Sequence, residues 1–427
     1  MTLKKELQGD FSYENQLVKW LPYNLTYILT HEQAKFFEDV ALTSSFSDLY
    51  TVKVPKNFCL ISNSKISYKF IKELTAVLLS DRYRQVEIDY HDCKSIDLSA
   101  QIFMDIILQD IHRFINKRNR HRKTRAFIKG MSGINITNPD IQKILFSVGS
   151  PAIIHKKTHY FSDIVTYKLC THNKASAKIE NAKRKEIDTT ELVEYVIASL
   201  KTLNKTLTGD SLEDLSTVIG EILINAEEHS TTNYRFSTGY FQKIDNEKLD
   251  SAYGIFHLVI MNFGESIYEK FLSPECTNTA ILSKMKTLSQ KYTVNNWFTQ
   301  KFEEETLWTL YALQEGITSV STTKYRRGNG SIRFIESFFN LKSLDSEDDK
   351  ISRLSILSGN TNIIFDGKYK ISEKIVGAEK FKVMTFNSSG NIEDKPNKKY
   401  VKRASNYFPG TIITAKILIS KDDIENE

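Results

Sequence analysis

The stretch Ser216-Thr-Val-Ile-Gly-Glu-Ile-Leu-Ile-Asn-Ala-Glu-Glu-His-Ser230 places Glu221, Asn225 and Glu228 at i, i+4 and i+7. On a helix these three side chains share one polar line. Beside them Leu215, Val218, Ile219, Ile222, Leu223 and Ala226 recur at i, i+3, i+4, i+7, i+8 and i+11, which predicts a single apolar stripe. A carboxylate and a carboxamide one turn apart at the rim of a core supply oxygens of the kind Mg²⁺ takes together with water and phosphate. An ordinary amphipathic helix carries the same pattern, so this segment alone does not decide the chemistry.

Two later segments add to it. Asn262-Phe-Gly-Glu-Ser-Ile267 follows the apolar run Ile255–Met261. A polar side chain and a glycine at a strand end suit a nucleotide base, which needs a hydrogen bond and close backbone approach. Arg326-Arg-Gly-Asn-Gly-Ser-Ile-Arg-Phe-Ile335 then runs from a Gly-rich loop into a helix, whose first N–H groups make an anion site. A lone Gly-x-Gly is usually only a turn; the order of the three segments is what carries weight.

In that order the segments resemble the GHKL (Bergerat-fold) ATPase superfamily of type II topoisomerases, heat-shock chaperones, mismatch-repair proteins, histidine-kinase catalytic domains and anti-sigma-factor serine kinases. Its N box, Glu-x-x-x-Asn-Ala-x-x-His/Lys/Arg, is similar to Glu221-Ile-Leu-Ile-Asn225-Ala226-Glu-Glu-His229. Its two glycine boxes resemble Asn262-Phe-Gly264-Glu-Ser-Ile267 and Arg327-Gly328-Asn-Gly330-Ser-Ile332, and its closing strand resembles Phe408-Pro-Gly410-Thr411. The resemblance implies ATP and Mg²⁺ as ligands. Asn225 would coordinate the metal, Glu221 would act as general base on the attacking water, and His229 would face phosphate. Gly264, Gly328 and Gly330 would admit base and phosphates, Thr411 would lie near adenine, and Arg326 and Arg327 are candidate phosphate contacts. Residues 270–324 would form an enlarged helical ATP lid. One departure stands out: Asn262 replaces the family's adenine-accepting aspartate. A carboxamide oxygen still accepts that bond, but the group is neutral and also donates, which weakens adenine selectivity.

The elements around these motifs give the expected architecture. Predicted helices at 190–203 and 211–229, strands at 236–242 and 253–261, and strands at 354–357, 363–365 and 412–417 fit a GHKL α/β sandwich with a mixed sheet over 189–422. Strands at 50–54 and 86–90 alternate with helices at 70–79, 99–114 and 138–148, the last with Gly149 as C-cap, and Ala126-Phe-Ile-Lys adds a short strand. This predicts a small α/β domain over 46–170 after a lead-in at 1–45, with the Lys-rich stretch 171–188 as linker. The strand, the segment Cys93-Lys-Ser-Ile-Asp97-Leu-Ser99-Ala and the helix after it resemble a STAS domain. There the phosphoacceptor hydroxyl follows the aspartate directly; here Leu98 does, and Ser99 reads as a helix N-cap. A docking or dimerisation role follows.

Composition narrows the classes. At 427 residues, a length of about 150 per domain gives two or three domains. Lys+Arg 58 against Asp+Glu 52 leaves only +6, a small bias for a dedicated nucleic-acid binder. The four cysteines are widely spaced, which excludes a C-x-x-C zinc site and suits a reducing cytoplasm. The N-terminus shows no signal peptide and the longest apolar run is too short for a membrane span. The basic run Lys117–Arg125 suits either a solvated helix end or a phosphate contact. The expectation is a cytoplasmic Mg-ATP-dependent switch, with slow hydrolysis at most, that engages a protein partner, STAS-like or regulatory. Alternatives are a serine/threonine kinase of the anti-sigma-factor type or a nucleic-acid-associated regulator, and a homodimer stays open.

Overall fold

The structure is a computed structural model that describes residues 21–36, 40, 47–80, 83–121, 130–153, 161–173, 181–228, 232, 234–244, 252–293, 301–317, 330–342, 351–376, 379–420 and 423–426. The protein is mixed α/β and forms two compact units, Met1–Ser162 and Asp163–Glu427.

The first unit contains α1 (Tyr23–Thr30), β1 (Ser47–Lys53), β2 (Asn57–Phe58), α2 (Ser64–Leu79), β3 (Tyr83–Asp89), β4 (Ser95–Ile96), α3 (Leu98–His121), β5 (Gly130–Ile134) and α4 (Pro139–Val148). Strands β1, β3 and β5 form a parallel sheet in the order β1-β3-β5, while β2 and β4 make a separate parallel pair. Parallel neighbours require crossover connections, and helices between the strands supply them. Val52, Val86, Ile88, Ile71, Leu74, Phe103 and Ile107 are buried, as the alternating strand and helix periodicities predict. α4 has the expected ends: the Asn138 side chain accepts from Asp140 N at 2.9 Å, and Gly149 sits at φ 61 beyond its last turn. The strand expected from Ala126 falls outside the described residues.

The second unit contains β6 (Ile164–Asn173), α5 (Asn181–Lys201), β7 (Lys205–Leu207), α6 (Gly209–Glu228), β8 (Tyr234–Lys243), β9 (Ala252–Phe263), α7 (Ile267–Leu272), α8 (Thr279–Thr293), α9 (Glu304–Ala312), α10 (Gly330–Leu341), β10 (Arg353–Phe365), β11 (Ser372–Val376), β12 (Glu379–Val383), β13 (Val401–Ser420) and β14 (Ile424–Asn426). Its main sheet has the order β10-β13-β9-β8-β6. All four described pairings are antiparallel, so the expected mixed sheet is not observed. Hairpins and long returns connect these strands without parallel crossovers. β11 with β12 and β7 with β14 form smaller antiparallel pairs.

The division between units falls earlier than the sequence suggested. β6 pairs with β8 and belongs to the second sheet, while α5 starts inside the expected linker. The polar first turns of α5 hid an amphipathic helix whose Leu192, Val196 and Leu200 are fully buried. The core of the second unit lies between one face of the sheet and the helices α5, α6 and α10. Leu215, Val218, Ile219, Ile222, Leu223 and Ala226 are all in it, as their spacing predicts. No helix among the described residues is long and apolar enough to cross a membrane.

Candidate functional site

Cross-strand register builds the site. On the helix-covered face the core residues Ile356, Ile413 and Ile260 lie opposite one another on β10, β13 and β9. Side chains alternate with period two, so the next row on that face is Ser358, Thr411, Asn262, Arg235 and His172, one from each of β10, β13, β9, β8 and β6. Five polar side chains in one row bound a face whose neighbouring row holds Ile356, Ile413, Ile260 and Ser237.

The row has two differently bonded ends. Ser358 Oγ lies 2.8 Å from Thr411 Oγ1 and accepts from Ile267 N at 2.9 Å. Toward β8, Arg235 Nη2 donates to Asp188 Oδ2 of α5 at 2.5 Å, and both residues are buried. Between them Asn262 is 0% exposed, and neither its Oδ1 nor its Nδ2 has a hydrogen-bond partner. Arg235 Nε and Nη1 are likewise buried without partners. Native interiors rarely leave this many polar atoms unsatisfied in one place. A row of idle donors and acceptors at a strand end is an arrangement that a polar ligand edge or ordered water completes.

Glycine makes the row accessible to close backbone approach. Gly410 has φ 142, and a Cβ there would stand 2.1 Å from Asn262 O. Gly264, at φ 150, follows directly after β9, and its N–H donates to Pro409 O at 3.3 Å. The chain then enters α7 through a capping box in which Glu269 N donates to Ser266 Oγ and Ser266 N donates to the Glu269 carboxylate. Ile267 is buried in the core, so its side chain serves packing while its N–H reaches the row. Burial raises the Glu265 carboxyl above the usual range, against the opposing pull of Lys270. The Thr232 hydroxyl anchors the segment after α6 by donating to Phe263 O at 3.0 Å.

Of the N-box residues, Glu221 and Asn225 lie half-buried one turn apart on α6, which packs on β8 and β9. Asn225 Nδ2 is buried without a partner. Glu221 Oε1 lies 3.3 Å from Arg333 Nη1 of α10. Gly330 is the first residue of α10. His229, Arg326, Arg327 and Gly328 lie outside the described residues. Among the described residues no group of three His, Cys, Asp or Glu side chains could hold a metal ion. A Mg²⁺ ion here would therefore need the Asn225 oxygen together with oxygens of a ligand and water.

Three expectations change. The helices placed in the lid are part of the core: Phe271, Met285, Leu307 and Leu310 are buried in it, and Trp308 Nε1 donates to Ser289 Oγ at 3.0 Å. α9 also packs on β10 and β13, and Glu305 accepts from Asn360 N and Nδ2. In the first unit the cap of α3 is Asp97, which receives Ser99 N at 3.0 Å and the Ser99 hydroxyl. Ser99 is 0% exposed, so its hydroxyl is not presented to solvent. In the basic run, Arg118 is buried with its guanidinium 5.4 Å from the Phe114 ring centroid, and the residues after His121 lie outside the described set.

Sequence reasoning missed Arg235, Asp188 and Ser358. A local signal was Arg235 as the one charged residue in the stretch Tyr234–Phe241. Compared with family models, curated proteins and solved structures, the chain matches none of them.

Proposed function

We propose that the second unit binds an adenine nucleotide at the polar row and acts as a GHKL-type, Mg-ATP-dependent switch that engages a protein partner. The observation that carries this reading is the fully buried Asn262 carboxamide with both polar atoms unpartnered, in a row with Thr411 and Arg235. The motif order supports it, because the N-box helix α6 packs on the strands that bear Asn262 and Arg235. The antiparallel sheet departs from the family pattern, so the argument rests on the site.

In this reading Asn262 receives the base, and Gly264 and Gly410 keep its surroundings free of side chains. Asn225 holds Mg²⁺, which would neutralise phosphate charge. Glu221 is the base for an attacking water if turnover occurs, and Arg333 holds its carboxylate in place. The first unit serves docking, because the hydroxyl nearest to a STAS phosphoacceptor position is buried and bonded to Asp97.

The test is thermal unfolding with and without Mg-ATP, with GTP as control, on wild type, Asn225→Ala and Asn262→Ala. Ligand at about 100 times its Kd adds roughly 2.7 kcal/mol to the unit that binds it. The expected result is an ATP-dependent shift of the second unit that both substitutions abolish. No shift of wild type with any nucleotide would sink the proposal. Labelled phosphate appearing on a protein would redirect it to the kinase alternative, whereas free phosphate alone fits the switch.

A further inference from the structure

Arg235 is 2% exposed, and only one of its nitrogens has a hydrogen-bond partner. Asp188 fixes Nη2, while Nε and Nη1 remain buried donors with nothing to receive them. Such donors are strongly disfavoured in a core unless something accepts from them. Arg235 stands directly opposite Asn262 in the β8–β9 register, so the two side chains share a face and one ligand edge can meet both. A carboxylate at 262 would draw the guanidinium across the strand into an ion pair. The neutral carboxamide leaves it on Asp188 with two donors idle.

The two groups differ in what they can read. A carboxamide can turn over and present its donor or its acceptor to either side. A guanidinium only donates, so it fixes which end of the ligand edge must carry an acceptor. Adenine offers a ring nitrogen as acceptor beside its 6-amino donor. Guanine offers a 6-oxo acceptor beside a ring N–H donor, the reverse order along the Watson–Crick edge. An Asn alone serves both; an Asn beside a fixed donor serves one.

We propose that Arg235, held by Asp188, is a second base-reading residue that donates to N1 of adenine while the Asn262 oxygen accepts from the 6-amino group. This rests on the nucleotide reading of the site. Arg235 thereby restores the adenine preference that a neutral Asn262 would otherwise give up.

The test is equilibrium binding of ATP, GTP, 1-deaza-ATP and 7-deaza-ATP to the full chain. The proteins are wild type and the double variant Asp188→Leu/Arg235→Met, which removes the buried pair as a unit. A hydrogen bond from a charged donor corresponds to a factor of about ten or more in affinity. Wild type is expected to bind ATP at least about tenfold tighter than GTP, 1-deaza-ATP should be weaker than ATP by a similar factor, and 7-deaza-ATP should match ATP. In the double variant ATP should weaken to the level of 1-deaza-ATP, and the ATP–GTP difference should collapse. Wild type binding 1-deaza-ATP as tightly as ATP would overturn the role of Arg235 and leave the nucleotide site standing. Wild type binding no nucleotide would overturn the site and the inference together. The analogue comparison needs no variant, so it decides the matter even if the substituted protein does not fold.

Discussion

Each unit buries a polar cluster in its interior, and the two are bonded to different extents. In the first unit Asp105 Oδ1 accepts from Gln101 Nε2 and from Ser150 Oγ, each at 2.9 Å, and Gln101 Nε2 also reaches Ser150 Oγ at 3.1 Å. Ala152 N adds a further bond to Ser150 Oγ. These contacts tie α3 to the chain that follows α4 and leave Gln101 Oε1 and Asp105 Oδ2 as the cluster's buried atoms without a partner. In the second unit Asn262 and Arg235 keep four polar atoms unpartnered between them. Their backbone is satisfied by the strand ladder, so what is left over belongs to the side chains alone. The first cluster is a clasp and the second is a receptor. Buried polarity points to a site where most of the donors and acceptors of a row are left without a partner.

The largest expected effect comes from breaking the buried ion pair in the second cluster. Arg235→Ala takes the guanidinium away from the buried Asp188 carboxylate and should lower the stability of the second unit by about 3–5 kcal/mol. Asp188→Leu/Arg235→Met should recover most of that loss, since both charges leave together. Urea unfolding followed by a probe in the second unit checks it. A double variant no better than the single one would mean that the pair is needed for packing rather than for charge balance.

The clasp should respond to pH. Burial pushes the Asp105 carboxyl up to about 7, while the bonds from Gln101 and Ser150 pull it down. An unfolded Asp titrates near ~3.9, so between that value and the folded one the native state keeps a proton that the unfolded state has lost. Stability therefore falls as pH rises through this window, by up to about 4 kcal/mol for this group. Asp105→Asn should flatten that dependence, stabilising the first unit at pH ~8 relative to wild type and changing little near pH ~4.5. Parallel pH profiles for the two proteins would show that Asp105 is not the titrating group.

A methyl group tests how closely the receptor's backbone is packed. Gly410→Ala would place its Cβ against Asn262 O at a φ that L-residues rarely adopt. The expected cost is about 1–3 kcal/mol, together with loss of any nucleotide-dependent shift. A variant that keeps both stability and the shift would show that β9 and β13 can part at this end without consequence.

Local and long-range features were unequally legible in the sequence, and neither Asp105 nor its partners stood out in it. The apolar stripe of α6 and both ends of α4 follow from local spacing, and the structure has them where that spacing puts them. The Asn262–Thr411 pair came within reach through motif order, but Arg235 and Ser358 join it only through register across three strand pairings. Register is set by long-range packing, which no local window contains. The same limit explains the lid. Helical periodicity at 268–315 was visible, yet nothing in a single helix says that Leu307 and Leu310 will meet this core rather than cover a ligand. At α3 the competition was local: Asp97 and Ser99 are both good caps, and the helix starts two residues earlier than a Ser99 cap allows.

The smallest effect separates an exposed ion pair from the buried one. Arg333 is 61% exposed on its side chain and meets Glu221 at 3.3 Å, whereas Arg235 is sealed against Asp188. An exposed pair gains little from Coulomb attraction in water and loses side-chain freedom, so it contributes about 0–1 kcal/mol and less in salt. Arg333→Ala should therefore leave the unfolding midpoint within about half a kcal/mol of wild type at physiological ionic strength. Any change in phosphate release by this variant then reports on the placement of Glu221, because stability is held constant. A loss of stability comparable to that of Arg235→Ala would erase the distinction and make α6–α10 pairing part of the core. If stability holds and phosphate release changes, one arginine holds the fold's buried charge while the other holds the carboxylate at its rim.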